Sequence, residues 1–309
     1  MPRMTFRSRL NRRAFSLTAA ALSGVASLGV PIPTLAQQAQ PVKLEKKGAY
    51  TILVAGIDTR TVEDPENTDV IMISRVDLWA ETVRTLSISR DLHLEIPGYG
   101  FDKINRAYDH GSKAANHDWN AGVALMTEMI ETNFGLDIDG VLTVRFAGFE
   151  GVVDALGGVT VDNPYAISED SYPTPDLQYK EISYPAGVQT LNGEQALEFS
   201  RSRHSDSDEG RIMRQHLVLT ALLNQAQAPE RIWNLPELYE ASHGLVTTNL
   251  PPAVQMQLVS AVPYIFPGNI AFGQIADQLW GENTPDGGWM YMADWTQLPG
   301  YVRSWLGLE

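Results

Sequence analysis

Ile52-Leu53-Val54-Ala55-Gly56-Ile57-Asp58-Thr59-Arg60 reads as a strand that runs straight into a polar loop. Residues 50–57 are aliphatic and β-branched, and the run stops at an aspartate followed closely by an arginine. Residues 70–76 and 83–89 share that Val, Ile, Leu and Thr character, so three strands are expected in one sheet. Downstream, Trp119, Val123, Met126, Ile130 and Phe134 recur at spacings of three and four, which marks an amphipathic helix ending near Gly135. Residues 141–146 return as a strand. Residues 149–156 form a second helix, stopped by Gly157-Gly158, and 159–161 are again strand-like. Asn192 with Gln195 three positions later has the spacing of a capping box opening a helix to Ser200, and 209–225 reads as a long helix. Strands alternating with helices predict an α/β fold with helices on both faces of a central sheet.

Three stretches carry less information. Residues 163–189 hold Pro164, Pro173, Pro175 and Pro185 among several tyrosines, so an irregular or edge-hairpin excursion outside the core is expected, forming a rim over the site. Residues 250–262 are helical in pattern. The Gly- and Trp-rich ending, 274–308, shows no obvious chemistry and is expected to complete the same domain, 49–309.

The first 36 residues read as an export signal: Arg3, Arg7, Arg9, Arg12 and Arg13 without an acid, an apolar run over 14–30, then small residues before Ala36. Asn11-Arg12-Arg13-Ala14-Phe15 resembles a twin-arginine export motif. Cleavage after Ala36 would leave a polar linker, 37–48. The chain has no cysteine, which excludes a lipoprotein thiol, disulfides, zinc thiolates and thiol catalysis. Beyond residue 36 there remain 18 basic against 37 acidic side chains. Non-specific nucleic-acid binding is therefore not expected, and an acidic protein that holds phosphates must gather its few arginines in one place.

Several clusters meet that demand. Asp58 and Asp69 flank neighbouring strand mouths, where two carboxylates can share a hard cation, although acids in such places are more often solvated. Arg90-Asp91 follows the third strand and Asp102-Lys103 lies nearby in sequence. Arg201 and Arg203 alternate across an extended segment, while Arg211, Arg214 and Gln215 open the long helix. The planar guanidinium binds phosphate with two parallel donors, which lysine cannot do. For Arg211 a solvated basic face is a plausible reading, though so dense a cluster in an acidic protein weighs against it, and for Lys103 a surface position is the better one. His204 and His216 lack partners at metal-ligand spacing.

Taken in order, these stretches resemble the LytR-CpsA-Psr family of cell-envelope phosphotransferases over residues 50–226. Besides the opening stretch, the resemblance rests on Thr68-Asp69, Ser87-Ile88-Ser89-Arg90-Asp91, Ile96-Pro97-Gly98-Tyr99-Gly100 and Asp102-Lys103-Ile104-Asn105. It continues in Asp154-Ala155-Leu156-Gly157-Gly158, Leu191-Asn192-Gly193-Glu194-Gln195-Ala196-Leu197, Arg201-Ser202-Arg203-His204 and Gly210-Arg211 with Arg214-Gln215. The resemblance implies a three-layer α/β/α sandwich with a central mixed sheet and an apolar tunnel for a lipid tail. It implies transfer of a phosphate-linked glycan from a polyprenyl-pyrophosphate carrier to peptidoglycan or another envelope acceptor, on the extracytoplasmic, periplasmic side of a membrane surface. It further implies Mg²⁺ (or Mn²⁺) on Asp58 and Asp69, with Asp58, Arg90 and Asp91 as catalytic residues. Arg60, Arg90, Lys103, Arg201, Arg203, Arg214 and Gln215 would bind substrate. The chain departs from the family pattern at Asn67, where arginine is usual, and at Ser89, where proline is usual. A hydrolase delivering the same phosphate to water, and a non-catalytic receptor for polyprenyl phosphates, are the competing readings.

Overall fold

The computed structural model describes residues 48–58, 66–174, 178–202, 208–227, 246–265, 267–284 and 288–308. The export signal and residues 37–47 of the linker lie outside these residues. The described residues belong to one compact unit. No described helix is long and apolar enough to cross a membrane.

Strands β1 (Ala49–Asp58), β2 (Asn67–Asp77) and β3 (Thr82–Ser87) make an antiparallel meander. The hairpin β4 (His93–Ile96) and β5 (Gly100–Lys103) leads to helices α1 (Ala107–Ala114) and α2 (Trp119–Phe134). Strand β6 (Gly140–Arg145) returns parallel to β1. Next come α3 (Phe146–Ala155), β7 (Val159–Asn163), the hairpin β8 (Ile167–Pro173) and β9 (Tyr179–Tyr184), and β10 (Gly187–Leu191). Helices α4 (Gly193–Arg201) and α5 (Asp208–Ala226) follow. The chain ends with β11 (Val246–Thr248), α6 (Pro252–Ala261), β12 (Ile270–Gln274), β13 (Leu279–Asn283), β14 (Trp289–Ala293) and α7 (Leu298–Leu306). The central sheet has the order β11-β6-β1-β2-β3-β12 and is mixed, with β1–β6 and β3–β12 parallel.

Period-two alternation divides the sheet into two faces. Leu53, Ala55, Ile57, Ile71, Ile73 and Leu86 point to one side, where Met126, Ile130 and Phe134 of α2 and Val302 and Leu306 of α7 cover them. Helix α2 is held at both ends. The Asp118 carboxylate accepts the Ala121 amide at 2.9 Å, and Gly135 takes a left-handed φ of 62° that other residues adopt at a penalty. On the opposite face Tyr50 and Ile52 meet Leu250 and Val254, which fixes α6. Neighbouring Val54, Gly56, Val70 and Met72 line a cavity instead.

One expectation needs correction. The excursion at 163–189 is not peripheral: Ile167, Tyr172, Ile182 and Tyr184 are buried against Val153, Phe199 and Val218 in a second core. The prolines hid this, but Pro173 ends β8, where a missing N–H breaks no ladder. The ending at 274–308 supplies the close of β12, a separate hairpin and the covering helix α7.

His216 on α5 packs against the sheet. Its Nε2 lies 2.8 Å from Ser87 Oγ, and its ring stacks on Phe272 with centroids 4.9 Å apart. Burial lowers its pKa to about 4, against about 6.5 in the unfolded chain. Between those values the unfolded chain binds a proton that the folded chain refuses, so stability rises with pH across that window. The penalty is absent above 6.5 and approaches about 3 kcal/mol below 4. Urea midpoints measured from pH 7 to pH 4 should fall less steeply in His216→Gln than in the parent. Parallel curves would show that the imidazole does not carry the dependence.

Candidate functional site

A cavity of about 680 Å³ opens between the sheet and a wall built from α3, α4, α5 and the β8–β9 hairpin. That volume suits a sizeable organic ligand. Val54, Val70 and Met72 from the sheet face Phe149, Leu197, Val218 and Leu219 from the helices. Such a lining offers an alkyl chain an environment free of competing hydrogen bonds.

The same cavity has a cationic wall. Arg90, Arg145, Arg201 and Arg211 all line it, in a protein with a formal charge of -14. The loop after β3 carries Arg90, and the Asn105 amide holds the Arg90 carbonyl at 3.3 Å. The Arg90 guanidinium pairs with the Asp69 carboxylate, and its Nε stands 3.6 Å from Asp91. Buried Arg211, on the first turn of α5, reaches the Asp69 carbonyl at 3.2 Å through Nη1 and Asp208 at 2.6 Å through Nη2. Ser89 Oγ donates to Asp208 at 3.1 Å, tying the β3 loop to that turn. Arg201 ends α4 over the Phe146 ring, its guanidinium carbon 4.1 Å from the centroid, and donates to the Tyr172 hydroxyl at 3.1 Å. Burial pushes the Tyr172 phenol up, so it stays protonated at neutral pH. Arg145 pairs with the buried Glu66 carboxylate at 3.1 Å.

The residues singled out from sequence divide into four groups, of which Arg214 is the last. Asp69, Arg90, Arg201 and Gln215 line the cavity. Asp91 and Lys103 lie beside it and face each other, with Lys103 Nζ 2.8 Å from Asp91 Oδ1. Arg60 and Arg203 fall outside the described residues, as does the side chain of Asp58; the Asp58 backbone ends β1 opposite Asn67.

Arg214 is a correction. It has no exposed surface, and its guanidinium binds the Phe199 carbonyl at 3.0 Å and the Ser202 carbonyl, closing the end of α4. Arg211 and Gln215, four residues apart and therefore on one helical face, meet the cavity together, whereas Arg214 points to α4. Arg211 is thus no solvated surface residue. That four-residue spacing was the available signal. Arg145, Phe146 and Tyr172 carried none, because their elements are placed by long-range packing.

A hard cation would find oxygen ligands beside Arg90. Asp69 Oδ1 lies at the cavity, and Asn67 Oδ1, two residues earlier on the same strand face, is buried without a hydrogen-bond partner. Opposite Asn67 stands Asp58. Among the described residues no three His, Asp or Glu side chains form a metal cluster. A donor set of at most two carboxylates and an amide oxygen fits Mg²⁺, which keeps water and substrate oxygens in its shell.

Comparison with known proteins gives concordant matches. The sequence model of the LytR_cpsA_psr family matches residues 25–300. The polyisoprenyl-teichoic acid–peptidoglycan teichoic acid transferase TagU of Oceanobacillus iheyensis is 35% identical over 208 residues, which are 67% of this chain and 60% of that protein. This chain therefore spans less than two thirds of that relative. TagU of Bacillus subtilis is 30% identical over 240 residues, 77% of this chain and 72% of that protein. The crystal structure of B. subtilis TagV superposes with a TM-score of 0.68 at 26% identity, covering 85% of this chain and 99% of that one.

Proposed function

The chain belongs to the LytR-CpsA-Psr family, and from that membership we propose that it transfers a phosphate-linked glycan from a polyprenyl-pyrophosphate carrier to a hydroxyl of peptidoglycan. The observation that carries this reading is one cavity with an apolar wall and an arginine wall. A polyprenyl pyrophosphate has the same two-part chemistry. Its prenyl chain would lie between the sheet and α5, and its pyrophosphate would meet Arg90, Arg201 and Arg211. The transferase names of the relatives agree with this assignment.

The acceptor hydroxyl attacks the glycan-side phosphorus, the bond from that phosphorus to the bridging oxygen breaks, and polyprenyl phosphate leaves with the bridging oxygen. Charge spread over the phosphoryl oxygens is met by fixed guanidinium donors, the main means by which proteins speed such transfers. With Asp58 given to the cation, we assign the hydroxyl proton to Asp91, which Lys103 holds beside Arg90. Asp69 and Asp58, with Asn67, would hold Mg²⁺, which supplies further neutralisation of the pyrophosphate when bound. Such a substrate lies in the cell envelope, in agreement with an export signal in residues 1–36.

The test is release of polyprenyl phosphate from a polyprenyl-pyrophosphate glycan, with and without Mg²⁺ and with and without peptidoglycan. Metal-stimulated release that deposits the glycan phosphate on peptidoglycan is the expected result. Equal release into water with or without acceptor would establish a hydrolase, and tight lipid binding without release a receptor.

A further inference from the structure

The hairpin β13–β14 places an aromatic corner next to the arginine wall. Trp289 and Tyr291 share one face of β14, with ring centroids 6.2 Å apart and planes at 84°. On the partner strand Gly281 lies beneath the indole: a Cβ at that position would sit 1.8 Å from Trp289 Cζ2. Glycine therefore lets the indole lie flat on the hairpin and leaves Trp289 47% exposed. Trp280 is as exposed, but strand alternation puts it on the other face, where its Nε1 donates to Glu282 at 2.8 Å.

This corner is tied to the site. The Tyr291 amide donates to the Asp91 carbonyl at 2.9 Å, and Leu92 bridges to Tyr291. Burial and then the Asp208 carboxylate raise the Tyr291 phenol pKa. Asp91 and Asp208 nearby are ion-paired, with Lys103 at 2.8 Å and Arg211 at 2.6 Å.

We propose that the Trp289–Tyr291 corner is a stacking subsite for a pyranose ring of the acceptor glycan. The apolar C–H face of a sugar ring fits a flat, half-exposed indole, and a second ring at right angles gives the subsite a side wall. The corner is tied through Tyr291 to the loop that carries Arg90 and Asp91, where the acceptor hydroxyl must arrive, so the occupant is the acceptor strand. The subsite rests on the transfer reading for its biological role, while its binding is measured without transfer.

The experiment uses the full chain and a soluble tetrasaccharide of alternating N-acetylglucosamine and N-acetylmuramic acid, titrated calorimetrically without donor. Trp289→Ala should weaken binding by about fivefold or more, the scale of one aromatic contact. Gly281→Ala, which displaces the indole, should do the same, while Trp289→Phe and Trp280→Ala stay near the parent. Geranyl pyrophosphate binding should be unchanged in every variant. No tetrasaccharide binding by the parent, unchanged binding in Trp289→Ala and Gly281→Ala, or an equal loss in Trp280→Ala would overturn the proposal. So would a parallel loss of geranyl pyrophosphate binding. Absence of transfer by a parent whose tetrasaccharide binding needs Trp289 overturns the transfer reading alone.

Discussion

Arg90→Ala is expected to slow transfer by roughly a hundred- to a thousandfold, the usual effect of removing one fixed donor from a developing oxyanion. Arg90 lines the cavity, is carried by a loop held at Asn105, and faces the Asp69 carboxylate. Its guanidinium is therefore set in place before substrate arrives. Most of the loss should appear in kcat, because phosphoryl charge spreads as the bridging bond breaks. Arg90→Lys should recover little, since an ammonium lacks the planar pair of donors. Asp69 and Arg90 form one unit, so the double variant Asp69→Ala with Arg90→Ala should lose much less than the sum of the single losses. Single-turnover release of polyprenyl phosphate measures each rate. Losses within threefold for Arg90→Ala would remove Arg90 from the reaction, and strict additivity would show that the pair does not act together.

Arg214→Ala should destabilise the fold by about 3 to 5 kcal/mol, from a buried cavity and two carbonyls left without donors. The residue is wholly buried where α5 crosses the end of α4, and it binds the Phe199 and Ser202 carbonyls. Those carbonyls flank Arg201 at the end of α4, so the guanidinium also fixes a neighbour that lines the cavity. Arg214→Met keeps most of the volume but none of the bonds, and should remain less stable than the parent. Arg211→Ala should be the contrasting case, with the larger effect on transfer for a smaller loss of stability. Urea unfolding followed by circular dichroism separates the three. An Arg214→Ala midpoint equal to that of the parent would mean the α4 end is satisfied by other groups.

Much of the architecture was legible because its signals are local. The helix at 119–134 announced itself through Trp119, Val123, Met126, Ile130 and Phe134, and its end through Gly135, whose positive φ the structure displays. The capping box of Asn192 and Gln195 is present in both directions. Residues 163–189 read as an irregular or edge-hairpin excursion outside the core, and the prolines and tyrosines hid that Ile167, Tyr172, Ile182 and Tyr184 pack into a second core with partners from β7, β10, α3, α4 and α5. The hairpin at 279–293 gave no warning, since its meaning depends on Asp91, nearly 200 residues earlier in the chain.

The amino-acid sequence by itself determined an α/β fold, the motifs that carry the family likeness, and the segments from which the arginines come. These follow from composition, from periods of two and 3.6 residues, and from motifs confined to a few neighbours. Only the tertiary structure decided which guanidiniums reach the cavity. Arg211 and Arg214 lie three positions apart on one helix, yet the first lines the cavity and the second closes α4. Each residue turns the helix by about 100°, and the packing of α5 against sheet and helix, fixed by contacts from distant parts of the chain, sets which direction is inward.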